Sequence, residues 1–230
     1  MSTVGIQICS GTEWRATGAL LGVTADRIGS FPYGEFARVP IAGRDCVFFH
    51  SRRTKTRAAG ACQYAIDRWN VDPVLVLGTC GGVAQQLRVM DLVVAARTIQ
   101  YDCQDQRPEM GLVVEADPAW LALAADLGEP IHAGTIASAD HDATFETLDS
   151  LRKLDVLAAD WESGAIAAVC HLNGVRWAVL RGVSDVPRAS GDEDVALQLR
   201  DYRENTPTIM ARLLRLLPRI VGALDDRLSM

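Results

Sequence analysis

A three-layer α/β domain is the architecture this sequence predicts, and three observations carry the prediction. Short apolar runs alternate with longer amphipathic stretches along the chain, the order expected when helices cover both faces of a sheet. Several of the apolar runs are continuous Val, Leu and Ile without polar alternation, as in strands buried on both faces. No repeat, linker or charge block divides the 230 residues, so one domain over residues 1–230 is expected.

Taken in order, residues 3–9 (TVGIQIC) read as a strand and 12–21 as a helix. A strand at 45–50 (DCVFFH) precedes a helix over 55–69, and strands follow at 73–78 (PVLVLG) and 91–96 (DLVVAA). The polar, Pro- and Gly-containing stretch after Tyr101 (DCQDQRPEMG) reads as a mobile surface loop. Helices over 117–127 and 145–153 flank a strand at 132–138 (HAGTIAS), and a short apolar segment, 154–159, leads into a helix over 162–173. After a strand at 176–182 (RWAVLRG), the stretch 193–224 is helical, with breaks or kinks expected at Pro207 and Pro218. Its ARLLRLLPRIVGAL segment is amphipathic and reads as a helix packed on the sheet rather than on a membrane or a partner.

Composition narrows the function. The net charge is −6 and hydrophobic residues make up 49%, so a disordered chain is excluded and a nucleic-acid partner disfavoured. No apolar run approaches the ~18–20 residues that cross a bilayer, and MSTVGIQICS lacks the basic and apolar regions of a secretory signal. The six cysteines, Cys9, Cys46, Cys62, Cys80, Cys103 and Cys170, show no paired zinc-site spacing. Most lie in apolar stretches and read as reduced, buried residues of a cytoplasmic protein. No metal site is expected.

Ligands of open α/β sheets sit beyond the carboxyl ends of the strands. That rule selects Cys9–Glu13, Gly78–Gly82, Ser138–Asp142 and Arg181–Asp185. Gly78-Thr79-Cys80-Gly81-Gly82 leaves main chain bare for a ligand, although a ligand-free tight turn explains it equally; it is neither a dinucleotide fingerprint nor a P-loop. Asp160-Trp161-Glu162-Ser163 opens a helix. Acids there suit the macrodipole, or else they grip a polyol such as ribose. Asp185 reads as a helix cap or as a general acid held protonated by a half-buried site, with Ser184 orienting it. Glu13 is an exposed first-turn acid or a general base facing the same crevice.

With these segments in this order, the chain resembles the nucleoside phosphorylase/hydrolase superfamily, and within it the 5'-methylthioadenosine/S-adenosylhomocysteine nucleosidases. The resemblance runs from GIQICSGTEW through VLVLGTCGGVAQQLRVMDLVV and AGTIASADHDA to ADWESGAIAAVCHLNGVRWAVLRGVSDV. It implies a mixed central sheet and hydrolysis of the N-glycosidic bond of an adenosine-type nucleoside, with no cofactor and with self-association as a homodimer or larger. It also implies roles. Asp185 protonates the purine N7, Ser184 orients it, Glu162 grips the ribose hydroxyls, Glu13 activates the attacking water, and Arg181 lies near that water. Thr79 stands near the ribose, and Cys80 and Gly81 present their backbone to the ligand. The departures lie at the substrate's periphery. Asp142-Ala143 replaces an aromatic–aliphatic pair against the base, and Trp161 replaces a methionine near the ribose. His141 reads as a surface residue more readily than as a substrate contact.

Phosphorolysis is the nearest alternative. The phosphorylases carry an arginine three residues before the serine of the glycine-rich turn, where this chain has Val76, and Glu13 would repel phosphate. The basic stretch Ser51–Arg57 reads as solvated or subunit-facing rather than as an anion site. A modified nucleoside such as futalosine is a further possible substrate, and a non-catalytic nucleoside-binding module a third reading.

Overall fold

The computed structural model describes residues 2–103, 112–188 and 191–224. The chain opens on β1 (Thr3–Ile8) and α1 (Gly11–Leu21), then the hairpin β2 (Gly29–Phe31) and β3 (Gly34–Arg38), β4 (Cys46–His50) and α2 (Lys55–Trp69). Next come β5 (Val71–Gly82), β6 (Leu92–Gln100), β7 (Val113–Glu115), α3 (Pro118–Ala125), β8 (Ile131–Ser138), α4 (Leu148–Lys153) and β9 (Val156–Asp160). α5 (Ser163–Leu172), β10 (Trp177–Asp185) and the long α6 (Asp192–Gly222) complete the order.

Alternation along β5 shows how the layers form. Leu75 and Leu77 join a core with Trp14 of α1, Leu123 of α3 and Leu213 of α6. Val74 and Val76 face the other way, against Ala61 of α2 and Ile166 of α5. Successive strand side chains point to opposite faces, so a continuous apolar run is what a sheet covered on both sides requires. The expected three layers are present, with the sheet mixed.

The sheet among the described residues runs β10-β6-β8-β9-β5-β1-β4-β3-β2, with β7 on β6 and an added pairing of β10 with β5. β5 is therefore the hinge of the molecule. Its early residues pair with β1 as far as Val76, its last two with β9, and its other edge with β10. Between the end of β1 and the start of β9, one edge of β5 is unpaired around Thr79. That gap faces the site.

Several expectations need correction. Gly78–Gly82 is not a turn: it continues β5, and Gly78, Thr79, Cys80 and Gly81 are in register with β10. β10 likewise extends to Asp185, and a register shift between Val183 and Asp185 re-aims its last side chains, as a bulge does. α6 runs unbroken through Pro207 and Pro218. The missing hydrogen bonds are outweighed by a buried face containing Ile209, Met210, Leu213, Leu217 and Val221. β2, β3 and β7, short and partly polar, and β9, which the sequence shows only as a short apolar segment, are further strands of the sheet. Most of the loop expected after Tyr101, residues 104–111, lies outside the described residues. Among the described residues no helix is long and apolar enough to cross a membrane.

Candidate active site

The four selected segments do meet, in one cavity of about 300 Å³ at the carboxyl ends of the parallel strands. Glu13 enters it from the first turn of α1. Ser10 caps that helix, accepting from the Glu13 amide at 3.1 Å, while Glu13 Oε2 accepts from the Ser10 amide at 2.9 Å. This reciprocal capping box fixes the side chain's direction. Glu13 Oε1 then accepts from the amide and the hydroxyl of Thr79, at 2.7 and 2.8 Å. The unpaired edge of β5 supplies that amide. Only 2% exposed, Glu13 is held by three donors, a number an ionised carboxylate accommodates with a lone pair to spare. Thr79 thus positions Glu13 as well as lining the cavity.

Asp185 lies at the end of β10, opposite Gly81. Ser184 Oγ donates to its Oδ1 and sits 3.3 Å from the Cys80 carbonyl, and Asn205 of α6 donates to the Ser184 carbonyl at 2.8 Å. Burial pushes the Asp185 carboxyl up to about 6; the Ser184 hydrogen bond opposes the shift, and the carboxylates of Asp142, Asp201 and Asp194 add to it. A Cβ at position 81 would meet Asp185 Oδ2 at 3.5 Å, so glycine keeps this wall flat without being sterically demanded. Thr79 and Gly81 are two residues apart on one strand, which separates the anchor points of Glu13 and Asp185 by roughly 7 Å.

Glu162 precedes α5 and is 4% exposed. Burial pushes its carboxyl up to about 8, with the Asp160 charge adding and Arg181 opposing. It accepts from the Thr54 amide at 3.4 Å and keeps capacity for a ligand's hydroxyls. Thr54 itself has φ 98°, an outlier for a β-branched residue, at the N-cap of α2.

Asp160 and Arg181 are not where the sequence reading put them. Asp160 reaches the cavity wall, but its oxygens accept from the Glu162 and Ser163 amides and from Ser138, and pair with Arg181 at 2.8 Å. It caps α5 and is not free to hold a polyol. Arg181 is 1% exposed and does not line the cavity. It donates to Ser163 Oγ at 3.0 and 3.2 Å and lies beside Gly78, where a Cβ would strike both Arg181 Nη1 and Glu13 Oε1. Burial works against its charge, but the Asp160, Glu13 and Glu162 carboxylates hold its pKa above the ordinary guanidinium value. Arg181 therefore sits behind the wall, as a support for the carboxylates.

The rim holds the predicted Trp161, Asp142 and Ala143, with Trp161 Nε1 donating to Asp142 Oδ1 at 3.1 Å. His141 lines the cavity too, its ring edge-on to Tyr101 at 5.2 Å. The residues the sequence reading missed come from α6 and the basic stretch. Tyr202, Gln198, Leu199 and Val195 line the cavity, and Tyr202 donates to Ser10 Oγ at 2.6 Å. Arg53 also lines it, which corrects the reading of Ser51–Arg57 as wholly solvated or subunit-facing. Among the described residues no group of three or more His, Cys, Asp or Glu is arranged to hold a metal.

Comparison with known proteins agrees with this geometry. The family model of the phosphorylase superfamily matches residues 8–221. A 5'-methylthioadenosine/S-adenosylhomocysteine nucleosidase of Actinobacillus succinogenes is 30% identical over 178 residues, covering 70% of this chain and 75% of the relative. An aminodeoxyfutalosine nucleosidase of Helicobacter pylori is 23% identical over 205 residues, covering 79% and 87%. The crystal structure of a Helicobacter pylori 5'-methylthioadenosine/S-adenosyl homocysteine nucleosidase superposes with TM-score 0.82 at 23% identity, covering 93% of this chain and 96% of that one. The fold, the match over nearly the whole chain and the nucleosidase relatives agree, and the chain belongs to the phosphorylase superfamily.

Proposed function

We propose that the protein is a purine nucleosidase that hydrolyses the N-glycosidic bond of an adenosine-type nucleoside, of the kind named for its relatives. The observation that carries this reading is the pair of carboxylates held differently across one cavity. Glu13 is fixed by three donors, and Asp185 is pushed up to about 6. Two carboxyl groups whose environments separate their duties are the basis for acid and base assignments.

In the proposed reaction Asp185 delivers its proton to N7 of the purine as the C1'–N9 bond breaks and its electron pair passes to the base. Positive charge develops on the sugar, where the carboxylates of the cavity stabilise it. Glu162 accepts the ribose hydroxyl protons in hydrogen bonds. A water oxygen attacks C1' and its proton passes to Glu13. Thr79 and Ser10 hold Glu13 in place, Ser184 holds Asp185, and Arg181 with Asp160 supports the wall; these are positioning residues. Cys80, Gly81, Trp161, Asp142 and Ala143 shape the rest of the substrate surface.

Hydrolysis is favoured over phosphorolysis at two positions where phosphate would need a cation, Arg53 being the cation that does line the cavity. Val76 is buried within β5 where the phosphorylases would carry an arginine, and Arg181 is paired with Asp160. Free base released from 5'-methylthioadenosine in phosphate-free buffer, with no increase when phosphate is added, is the expected result. Strict dependence on phosphate would replace this reading with a phosphorylase, and no release from any purine nucleoside would leave a binding protein. The same reading includes a homodimer or larger assembly in the cytoplasm, and light scattering on the purified chain tests the assembly.

A further inference from the structure

We propose that Arg53 is a specificity residue that binds an anionic group at the far end of the nucleoside's 5' substituent. The inference rests on the nucleosidase reading for the orientation of the ligand, and on the structure for the site. Within the basic stretch, Lys55 Nζ pairs with Asp102 at 2.5 Å. Arg57 donates to the carbonyls of Ser51 and Tyr33 at 3.1 and 3.0 Å. Arg53 is different. It is exposed, it lines the cavity, and among the described residues no carboxylate pairs with it.

Two aromatic faces hold it there. The guanidinium carbon lies 5.5 Å from the Trp161 ring centroid and 5.9 Å from that of Tyr202, residues from separate elements. A cation–π contact needs no hydrogen-bond acceptor, so the guanidinium keeps N–H donors for a ligand. A carboxylate or phosphate matches that fork with two parallel hydrogen bonds. The cavity otherwise carries the acids Glu13, Asp142, Asp160, Glu162 and Asp185. An anion would not remain in it without a local cation.

The position of Arg53 assigns it to the 5' end. The Thr54 amide, next in the chain, contacts Glu162, so Arg53 enters beside the ribose carboxylate. With the base on Asp185 and the hydroxyls on Glu162, C4' carries its substituent away from the base. Val195 and Leu199, 39% and 38% exposed, add apolar side chains to the cavity lining contributed by α6. An apolar spacer ending in an anion fits that lining, whereas a short neutral group leaves the arginine without a partner.

The test compares 5'-(carboxyalkylthio)adenosine with its uncharged carboxamide, and adenosine 5'-phosphate with adenosine. The wild-type protein is expected to favour an acid over its neutral counterpart by roughly tenfold in kcat/KM, the low end of what a hydrogen bond to a charged group contributes. Whichever pair shows the preference identifies the anion as carboxylate or phosphate. Arg53→Gln is expected to bring the ratio close to one, and Arg53→Lys to keep part of it. Equal rates for acid and neutral forms in the wild type, or a preference that survives Arg53→Gln, would overturn the proposal. So would release that needs inorganic phosphate and is lost in Arg53→Gln, because Arg53 would then bind the nucleophile. Failure to cleave any nucleoside is a failure of the nucleosidase reading instead. Calorimetric binding of the acid and the amide, with Arg53→Gln as control, then decides the Arg53 claim in the same way.

Discussion

Glu162 is a buried acid and Asp185 a half-buried one, and desolvation gives each a pH signature with a sign. Asp185 must carry its proton to protonate a base, and its carboxyl is pushed up to about 6. The kcat/KM profile of the free protein is therefore expected to fall as pH rises through about 6, and a rate still climbing between pH 6 and 8 would contradict the acid assignment. Asp185→Asn keeps the shape and removes the proton; turnover is expected to drop by about 10²–10⁴-fold while the far-UV circular dichroism spectrum stays native. For Glu162 the linked quantity is stability. Its folded pKa, about 8, lies above the ordinary glutamate value of about 4.3. A group raised on folding contributes stability fully present below its unfolded pKa and lost as pH rises through the folded one. Glu162→Gln cannot ionise. It should melt several degrees above the wild type at pH 9, with the gap closing towards pH 5, and its nucleosidase activity should fall, because the amide offers the two ribose hydroxyls one acceptor oxygen where a carboxylate offers two. Parallel melting curves across that range would show that the carboxyl is not held up by burial.

At the scale of elements, the site is a junction of strand ends buttressed from behind. Asp160 ends β9, Ser163 opens α5 and Arg181 lies in β10, so one ion pair ties three elements together. Its partners are 3% and 1% exposed, a setting in which a charge left alone is costly. Arg181→Met and Asp160→Leu should each lose about 3–5 kcal/mol in urea unfolding, and the double variant less than their sum. Additive losses would mean that the pair does not act as a unit. Gly78 makes the same junction sterically strict, since a Cβ there would meet Glu13 Oε1 at 2.7 Å and also collide with Arg181 Nη1. Gly78→Ala should consequently lower kcat by displacing Glu13; a fully active variant would show that the wall has more slack than the geometry allows. This junction explains what was legible in the sequence. The buried runs of β1, β4, β5, β6, β8 and β10 were readable because burial on both faces keeps them largely apolar. Glu13, Glu162 and Asp185 were readable because they follow such runs. β2 and β3 were not, since GSFPYGEFAR has the composition of a turn and pairs only at the sheet's edge. The strand character of Gly78–Gly82 was hidden as well. Glycine announces a turn, whereas here the pairing partners on β10 and β9, 103–104 and 76–78 residues away in sequence, decide the conformation.

Across the whole molecule, the closure of the sheet about β5 brings residues from Ser10 to Tyr202 around one cavity. Tyr202 is invisible in the sequence for this reason, and Arg53 stands out there only as part of a basic stretch that reads as solvated or subunit-facing. Neither follows a strand in a way that marks it, and each joins the site through long-range contacts, Arg53 by stacking and Tyr202 by its bond to Ser10. A site assembled from so many elements couples its occupancy to global stability, because unfolding any of them destroys it. A ligand that binds only the folded chain stabilises it by about 2.7 kcal/mol at 100 times its Kd. For a chain of this length that corresponds to a rise of roughly 5–11 °C in Tm. A non-cleavable adenosine-type analogue, added at fixed protein concentration, is expected to produce such a shift. Glu162→Ala should abolish most of it, since the ribose hydroxyls lose their acceptor, while Asp185→Asn should keep the larger part, since it still presents a hydrogen-bonding group of the same shape to the base. Differential scanning calorimetry reads all three. An analogue that leaves the wild-type Tm unmoved at concentrations where calorimetric titration shows binding would mean that it binds folded and unfolded chains alike, and so lies outside the cavity formed around β5.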